Sequence, residues 1–311
     1  MSAVMQLLLD KLQEMKNVYE DAIRNGEYTS LIRSKRFINL IHEYVIEELK
    51  KRVEPSWVVT DKKVYGFPKT KEQDIIIQPP QNGRNVSVGP ILAVNVRSQL
   101  SSIEKNYDTL FERIFAEALN LHNRFPYMVL GYLYLLPKVG YDSDAAKENR
   151  VELSERYNLE KYILSFLSIA SRTSPNDVPW KYERVCLLIV DFEKSPPEVM
   201  DDMRIFVNEG LVSEKFAQLY TFEKLSIKDF FDGLWGKNWI TIYSRDLGRH
   251  IWKNYSKRHI TGNRKVLTRA VFDKIQAQRY LNPIRRHLWI MPQSHYIQLL
   301  HKLFGMTGFG A

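Results

Sequence analysis

The chain has 311 residues, of which 44% are apolar and 26% are charged, values typical of a soluble globular protein. No apolar run approaches the roughly 18–20 residues that span a bilayer, and the chain does not open on a basic leader with an apolar block and a cleavage site. The single cysteine, Cys186, excludes an internal disulfide and fits a reducing compartment. We therefore expect a cytoplasmic protein without a membrane partner.

The charge of the chain is concentrated at its C-terminal end. Residues 247–311 carry twelve Lys and Arg against one acid, Asp273, a net +11, whereas the whole chain carries +9. Residues 1–246 are therefore close to neutral. This asymmetry predicts a domain over 1–246 and a basic C-terminal extension over 247–311 that binds a polyanion, nucleic acid before membrane.

The first elements in chain order are two amphipathic helices followed by a strand meander. Apolar residues recur at helical spacing over residues 1–24 and about 31–53, and Pro55 ends the second helix. Short β-branched runs then alternate with Pro, Gly and Asn over about 57–100, which predicts strands joined by turns. These runs are W-V-V-T, K-V-Y-G-F, D-I-I-I-Q and I-L-A-V-N-V-R.

The remaining elements predict more α/β structure. Ser101-Ser102-Ile103-Glu104 has the S-x-x-E capping pattern and opens a long helix that ends before Pro126. After this helix the sequence predicts further strands and a helix over about 155–170. It also predicts two helices in the basic extension, over about 265–280 and 294–304. The strand candidates are M-V-L-G-Y-L-Y-L-L-P, V-C-L-L-I-V-D-F and N-W-I-T-I-Y-S. The fold class is therefore α/β, a central mixed sheet with helices on its faces.

Two neighbouring strands of the meander combine an apolar face with a polar one. Asp74 opens D-I-I-I-Q, and the next strand alternates, because side chains of a strand point to opposite faces in turn. One of its faces carries Leu92, Val94 and Val96, and the other carries Asn95, Arg97 and Gln99. Metal-dependent phosphodiester cleavage needs anionic oxygen ligands for Mg²⁺ and a cation that stabilises charge or orients water, which such a strand pair can supply.

At these residues the chain resembles the core of type II restriction endonucleases, the PD-(D/E)xK superfamily. The resemblance covers about residues 57–137: D-I-I-I-Q, a turn, I-L-A-V-N-V-R-S-Q-L-S-S-I-E-K-N and the helix that follows. In that family the first acid opens a strand, and the (D/E)-x-K element closes the next strand before a long helix. The resemblance implies a restriction-endonuclease-like sheet and Mg²⁺-dependent cleavage of duplex DNA.

Three residues of this chain fall at the family's motif positions, and two of them differ from the family's residue type. Asp74 matches the metal-bridging acid, Asn95 falls where the second acid belongs, and Arg97 falls where the lysine belongs. Asn95 offers a carbonyl oxygen without charge, and Arg97 can hold a phosphate but cannot act as a base. Glu48 of the second helix, or Glu43 or Glu47, would restore the missing metal ligand, and Gln99 would hold water or phosphate.

The expected protein is then a site-specific endonuclease that cuts double-stranded DNA with Mg²⁺. A two-fold dimer follows from the resemblance, because duplex targets are often palindromic. DNA contacts are expected from cations interleaved with Trp252 and Tyr255 in the basic extension. These cations are Arg249, Lys253, Lys257, Arg258, Arg264, Lys265 and Arg269.

Three alternatives stay open. The strand pair could be an edge hairpin whose polar face meets water, or the chain could be a catalytically inactive DNA-binding protein on the same fold, which the neutral Asn95 favours. An RNA-binding protein that uses only the basic extension is a third. No G-x-x-x-x-G-K-[ST] loop is present, so no nucleotide cofactor is expected.

Overall fold

A computed structural model describes residues 3–67, 69–79 and 89–235. These residues belong to the first of the two units into which the chain divides, Met1–Leu247 and Gly248–Ala311. The predicted strand N-W-I-T-I-Y-S, the two helices of the basic extension and its boundary at residue 247 lie outside the described residues. Within the described part, no helix is both long and apolar enough to cross a membrane.

A six-stranded mixed sheet forms the centre of the fold, as predicted. The strand order is β1-β2-β3-β4-β7-β8; β3, β4 and β7 run parallel to one another, and the other neighbours are antiparallel. A separate pair, β5 and β6, lies after β4. The strands are β1 Val58–Tyr65, β2 Thr70–Ile77, β3 Leu92–Ser98, β4 Val129–Pro137, β5 Gly140–Tyr141, β6 Leu153–Glu155, β7 Arg184–Asp191 and β8 Glu198–Met200.

Helices cover both faces of this sheet. They are α1 Ala3–Arg24, α2 Tyr28–Leu31, α3 Asn39–Lys50, α4 Tyr107–Arg124, α5 Ser143–Lys147, α6 Leu159–Ile169, α7 Met203–Asn208, α8 Glu214–Leu219 and α9 Ile227–Trp235. Every residue of β4 is buried, as expected for a parallel strand with helices on both sides.

Each face of the sheet has its own hydrophobic core. On one face α1, α3 and α9 share a cluster with Val94 and Val96 of β3. On the other face α4 and α6 share a cluster with Ala93 of the same strand. The alternation predicted for β3 is therefore confirmed on its apolar side, because consecutive residues of the strand belong to different cores.

Two local predictions at helix ends are wrong. The helix predicted over 31–53 is interrupted: α2 ends at Leu31 and α3 begins at Asn39, and the Ser34 hydroxyl donates to the Leu31 carbonyl. The intervening R-S-K-R residues are exposed, so a helix there would bury no apolar side chain. The capping pattern at Ser101 does not cap α4, which begins six residues later at Tyr107.

A buried ion pair ties the loop after α6 to the beginning of β7. Arg172 Nη1 lies 2.6 Å from Glu183 Oε1, and the other oxygen of Glu183 accepts from the backbone N–H of Leu130 at 2.8 Å. Burial raises the pKa of Glu183, but the hydrogen bond to His122 and the charges of His122 and Arg172 outweigh it, so the pKa lies below its usual value. The ionised form is thus the stable one.

Replacing Arg172 by Met should lower the free energy of unfolding by about 3–5 kcal/mol at pH 7, because it leaves a buried carboxylate without its partner. Urea denaturation measures this loss. The double variant Arg172→Met/Glu183→Gln should recover part of it. Because the folded pKa of Glu183 is depressed, its contribution is present above the unfolded pKa, about 4.3, and is lost as pH falls through the folded pKa. Equal stability of wild type and Arg172→Met would contradict the pair's role.

Candidate functional site

The backbone ladder between β2 and β3 stops next to Asp74, and side chains continue it. The ladder pairs Ile75 with Val94 and ends there. Beyond it, the backbone N–H of Asp74 donates to Asn95 Oδ1 at 2.9 Å, and the backbone N–H of Val96 donates to Asp74 Oδ2 at 2.9 Å. The strand itself starts at Thr70, so Asp74 lies inside β2 rather than at its mouth. Asp74 and Asn95 are both buried, at 5% and 2% exposure.

Arg97 binds the same carboxylate oxygen. Its Nη1 lies 2.7 Å from Asp74 Oδ2 and 2.8 Å from the Val96 carbonyl oxygen, while 43% of its side chain stays exposed. Burial lowers the pKa of Arg97, but the charge of Asp74, with Tyr132 and Glu117, outweighs it and raises the pKa above its usual value. The site therefore holds a permanent cation that reaches from a buried carboxylate to solvent.

A chain of hydrogen bonds links Asn95 to α4. Asn95 Nδ2 donates to Gln73 Oε1 at 2.8 Å, and Gln73 Nε2 donates to Glu117 Oε1 at 2.9 Å. Burial raises the pKa of Glu117, and the bond from Gln73 and the charge of Arg97 offset this only in part. Glu117 is not among the site residues predicted from the sequence. The helical spacing did contain a signal, because Glu117 lies three residues after Ile114 and therefore falls on the apolar side of the helix.

The second helix does approach Asp74, but through a histidine. His42 Nε2 lies 3.9 Å from Asp74 Oδ2, and this nitrogen has no hydrogen-bond partner within residues 3–67, 69–79 and 89–235. Burial lowers the pKa of His42; the charge of Asp74 raises it, and that of Arg97 lowers it further. The result is a neutral imidazole at pH 7 beside the carboxylate.

Two predicted site residues have other partners. The buried carboxylate of Glu48 binds Lys51 Nζ at 2.5 Å and Arg52 Nη1 at 2.9 Å. Gln99 accepts from the Tyr134 hydroxyl at 2.6 Å and donates to the Ser102 carbonyl at 2.6 Å. The structure thus brings Asp74, Asn95 and Arg97 together, and the described contacts of Glu48 and Gln99 do not include Asp74. Their predicted roles stay predictions.

The ligand set predicted for Mg²⁺ does not fit the arrangement of these side chains. Asp74 already pairs with Arg97, Asn95 is uncharged and accepts a backbone N–H, and Glu48 pairs with two cations. In the part of the chain that the structure describes, no cluster of three or more His, Cys, Asp or Glu could hold a metal ion. Mg²⁺ favours carboxylate oxygens together with water and phosphate oxygens, and both carboxylates of this set, Asp74 and Glu48, are already paired with cations.

The edge-hairpin alternative is wrong for this strand pair, because Asp74 and Asn95 are buried and β2 and β3 are interior strands of the sheet. The cations predicted to contact DNA all lie outside the described residues, in 249–269. Comparisons with protein-family models, with curated proteins and with solved structures found no match.

Because the folded pKa of His42 is lowered, wild-type protein should lose stability relative to His42→Gln as pH falls from 7.5 to 5.5. In this window the unfolded chain takes up a proton, with a pKa of about 6.5, that the folded site resists. The extra loss is at most about 1.4 kcal/mol, measured by urea denaturation of both proteins at both pH values. Parallel losses in the two proteins would show that His42 titrates normally.

Proposed function

We propose that the chain is a DNA-binding protein on a restriction-endonuclease-like fold, and that Arg97 holds a phosphate of duplex DNA without a metal ion. The observation that carries the proposal is the Asp74–Arg97 pair at the break between β2 and β3, the last strands before α4. In the family that these strands resemble, this position faces the phosphate that is cut. The mixed α/β sheet is compatible with that resemblance.

Arg97 is suited to a phosphate partner by its remaining donors. Both of its described hydrogen bonds use Nη1, to Asp74 and to the Val96 carbonyl. A guanidinium has five N–H donors in a planar fork that matches two phosphate oxygens. Asp74 fixes the orientation of this fork, so little side-chain entropy is left to lose when phosphate binds.

A second candidate function is the Mg²⁺-dependent endonuclease expected from the sequence, and Glu117 is the observation that favours it. Glu117 is a second carboxylate close enough to Asp74 and Arg97 for their charges to affect its pKa, and it could supply the acid that Asn95 lacks. Mg²⁺ would activate water and stabilise charge on the phosphate. The expected two-fold dimer and the contacts of the basic extension are compatible with both candidates.

Replacing Arg97 by Gln should weaken binding to a fluorescent DNA duplex and lower the slope of log K against log salt by about 0.9, the effect of one phosphate contact. Fluorescence anisotropy measures both, with EDTA present to remove divalent ions. Arg156→Gln is the matched control, because Arg156 is exposed and forms no ion pair among the described residues. Arg97→Lys should keep most of the salt slope, since it keeps the charge beside Asp74. Wild-type slope in Arg97→Gln, in a protein that remains folded, would contradict the phosphate contact.

The endonuclease candidate is tested by incubating the protein with unmodified phage DNA and about 10 mM Mg²⁺, a usual concentration for weakly bound hard cations. The metal-free proposal predicts intact DNA that is still shifted on a gel. Discrete fragments that disappear in both Asp74→Ala and Glu117→Gln would replace it by the endonuclease. Fragments that survive in Asp74→Ala would exclude this site from cleavage.

A further inference from the structure

The end of the sheet next to the candidate site is a two-stranded ribbon. β1 pairs with β2 from Val58↔Ile77 to Tyr65↔Thr70, whereas the β2–β3 ladder covers only Ile75 to Ile77. Residues 62–65 and 70–73 therefore pair only with each other in the described ladders. We call this part, with Gly66, Phe67 and Lys69 at its end, the β1–β2 ribbon. It leads directly from Asp74 to a surface turn.

Large apolar side chains are exposed at the end of the ribbon. Tyr65 is 62% exposed and Phe67 is 54% exposed. Arg124 of α4 lies over the Tyr65 ring, with its guanidinium carbon 4.6 Å from the ring centroid. Exposed aromatic rings accompanied by a cation are the composition found where proteins contact bases and sugars.

Unpaired lysines accompany these rings. Lys62, Lys63 and Lys69 are exposed, and no ion pair involves them within residues 3–67, 69–79 and 89–235. The two acids of this region, Asp61 and Glu72, are both paired with Lys35. Lysines on an edge strand also discourage pairing with another sheet, but that role does not account for two exposed aromatic rings at the end of the ribbon.

The tip is held in a fixed position by Asn120 of α4. Asn120 Oδ1 accepts from the backbone N–H of Lys69 at 3.1 Å, its Nδ2 donates to the Lys69 carbonyl at 2.8 Å, and its own carbonyl accepts from the N–H of Phe67 at 2.9 Å. Gly66 makes this contact possible, because a Cβ at that position would lie 2.2 Å from Asn120 Nδ2. The aromatic rings are thus presented by a braced turn.

We propose that the β1–β2 ribbon lies in a groove of the duplex DNA that Arg97 binds. This inference rests on the function proposed above and adds a second contact surface to it. Lys62 and Lys63 are both exposed, on opposite faces of the strand, and their long side chains would reach phosphates that border the groove. Tyr65 and Phe67 contact bases or sugars at the groove floor. A two-stranded ribbon fits the major groove, about 12 Å wide. Thr70, where the β1–β2 ladder ends, lies about 13 Å from Asp74 along β2, at roughly 3.3 Å per residue, so the ribbon begins well within one turn of DNA from the site.

Two ribbon variants and one control test this proposal in the full-length chain. Lys62→Gln/Lys63→Gln removes two phosphate contacts, so the slope of log K against log salt should fall by about 1.8. Tyr65→Ser/Phe67→Ser should weaken duplex binding about fivefold or more with an unchanged slope, because it removes contacts without charge. Lys215→Gln/Lys224→Gln removes two exposed lysines from the α8 region and should bind like wild type. Thermal unfolding verifies that each variant is folded.

The outcomes separate the ribbon from the function on which it rests. Wild-type binding and salt slope in both ribbon variants, with Arg97→Gln still impaired, would overturn the ribbon and keep the phosphate site. Equal losses in the ribbon variants and in the lysine control would also overturn it, since they would show a general charge effect. A wild-type protein that binds anionic lipid vesicles but no DNA duplex would overturn the proposed function and the ribbon together.

Discussion

The exchange of backbone for side-chain hydrogen bonds between β2 and β3 is the constraint on which the candidate site depends. Where the ladder stops, the N–H groups of Asp74 and Val96 are in a buried environment, and each would cost about 1–3 kcal/mol without a partner. Asn95 Oδ1 and Asp74 Oδ2 accept them. The two side chains that the sequence identified as chemical groups therefore also hold the strands at this separation.

This double role explains why an amide suits position 95. Asn95 accepts from the backbone with one end and donates to Gln73 with the other. A carboxylate at position 95 has no N–H, so Gln73 Oε1 would lose the hydrogen bond that Asn95 Nδ2 donates to it. It would also place a second negative charge beside Asp74. The Gln73–Glu117 bond would then lose its anchor. Asn95 is consistent with the surrounding hydrogen bonds, whereas an acid at this position would require a bound cation or a rearranged network.

Much of the fold could be predicted from the sequence, because burial repeats with a fixed period. The alternation of β3, the buried run of β4 and the stripe of α4 all indicated which residues face a core. Periodicity does not state which residues meet across the sheet, so it missed His42 and Glu117, which reach Asp74 and Gln73 from different helices. The capping pattern failed for a similar reason: Glu104 accepts from the backbone of Asn158, a partner that is distant in sequence.

The helix α4 connects the site with the ribbon, which makes the two mechanically dependent. Glu117 lies one turn before Asn120 on this helix, and residues three apart are neighbours on its surface. Glu117 binds Gln73 of the strand pair. Asn120 binds the backbone of Lys69 and Phe67 at the ribbon tip. Because the cation of the site is the guanidinium of Arg97 itself, the proposed phosphate contact requires no bound metal ion. In the proposed complex, α4 and the two strands would therefore hold the ribbon and Arg97 at a set distance from each other along the duplex.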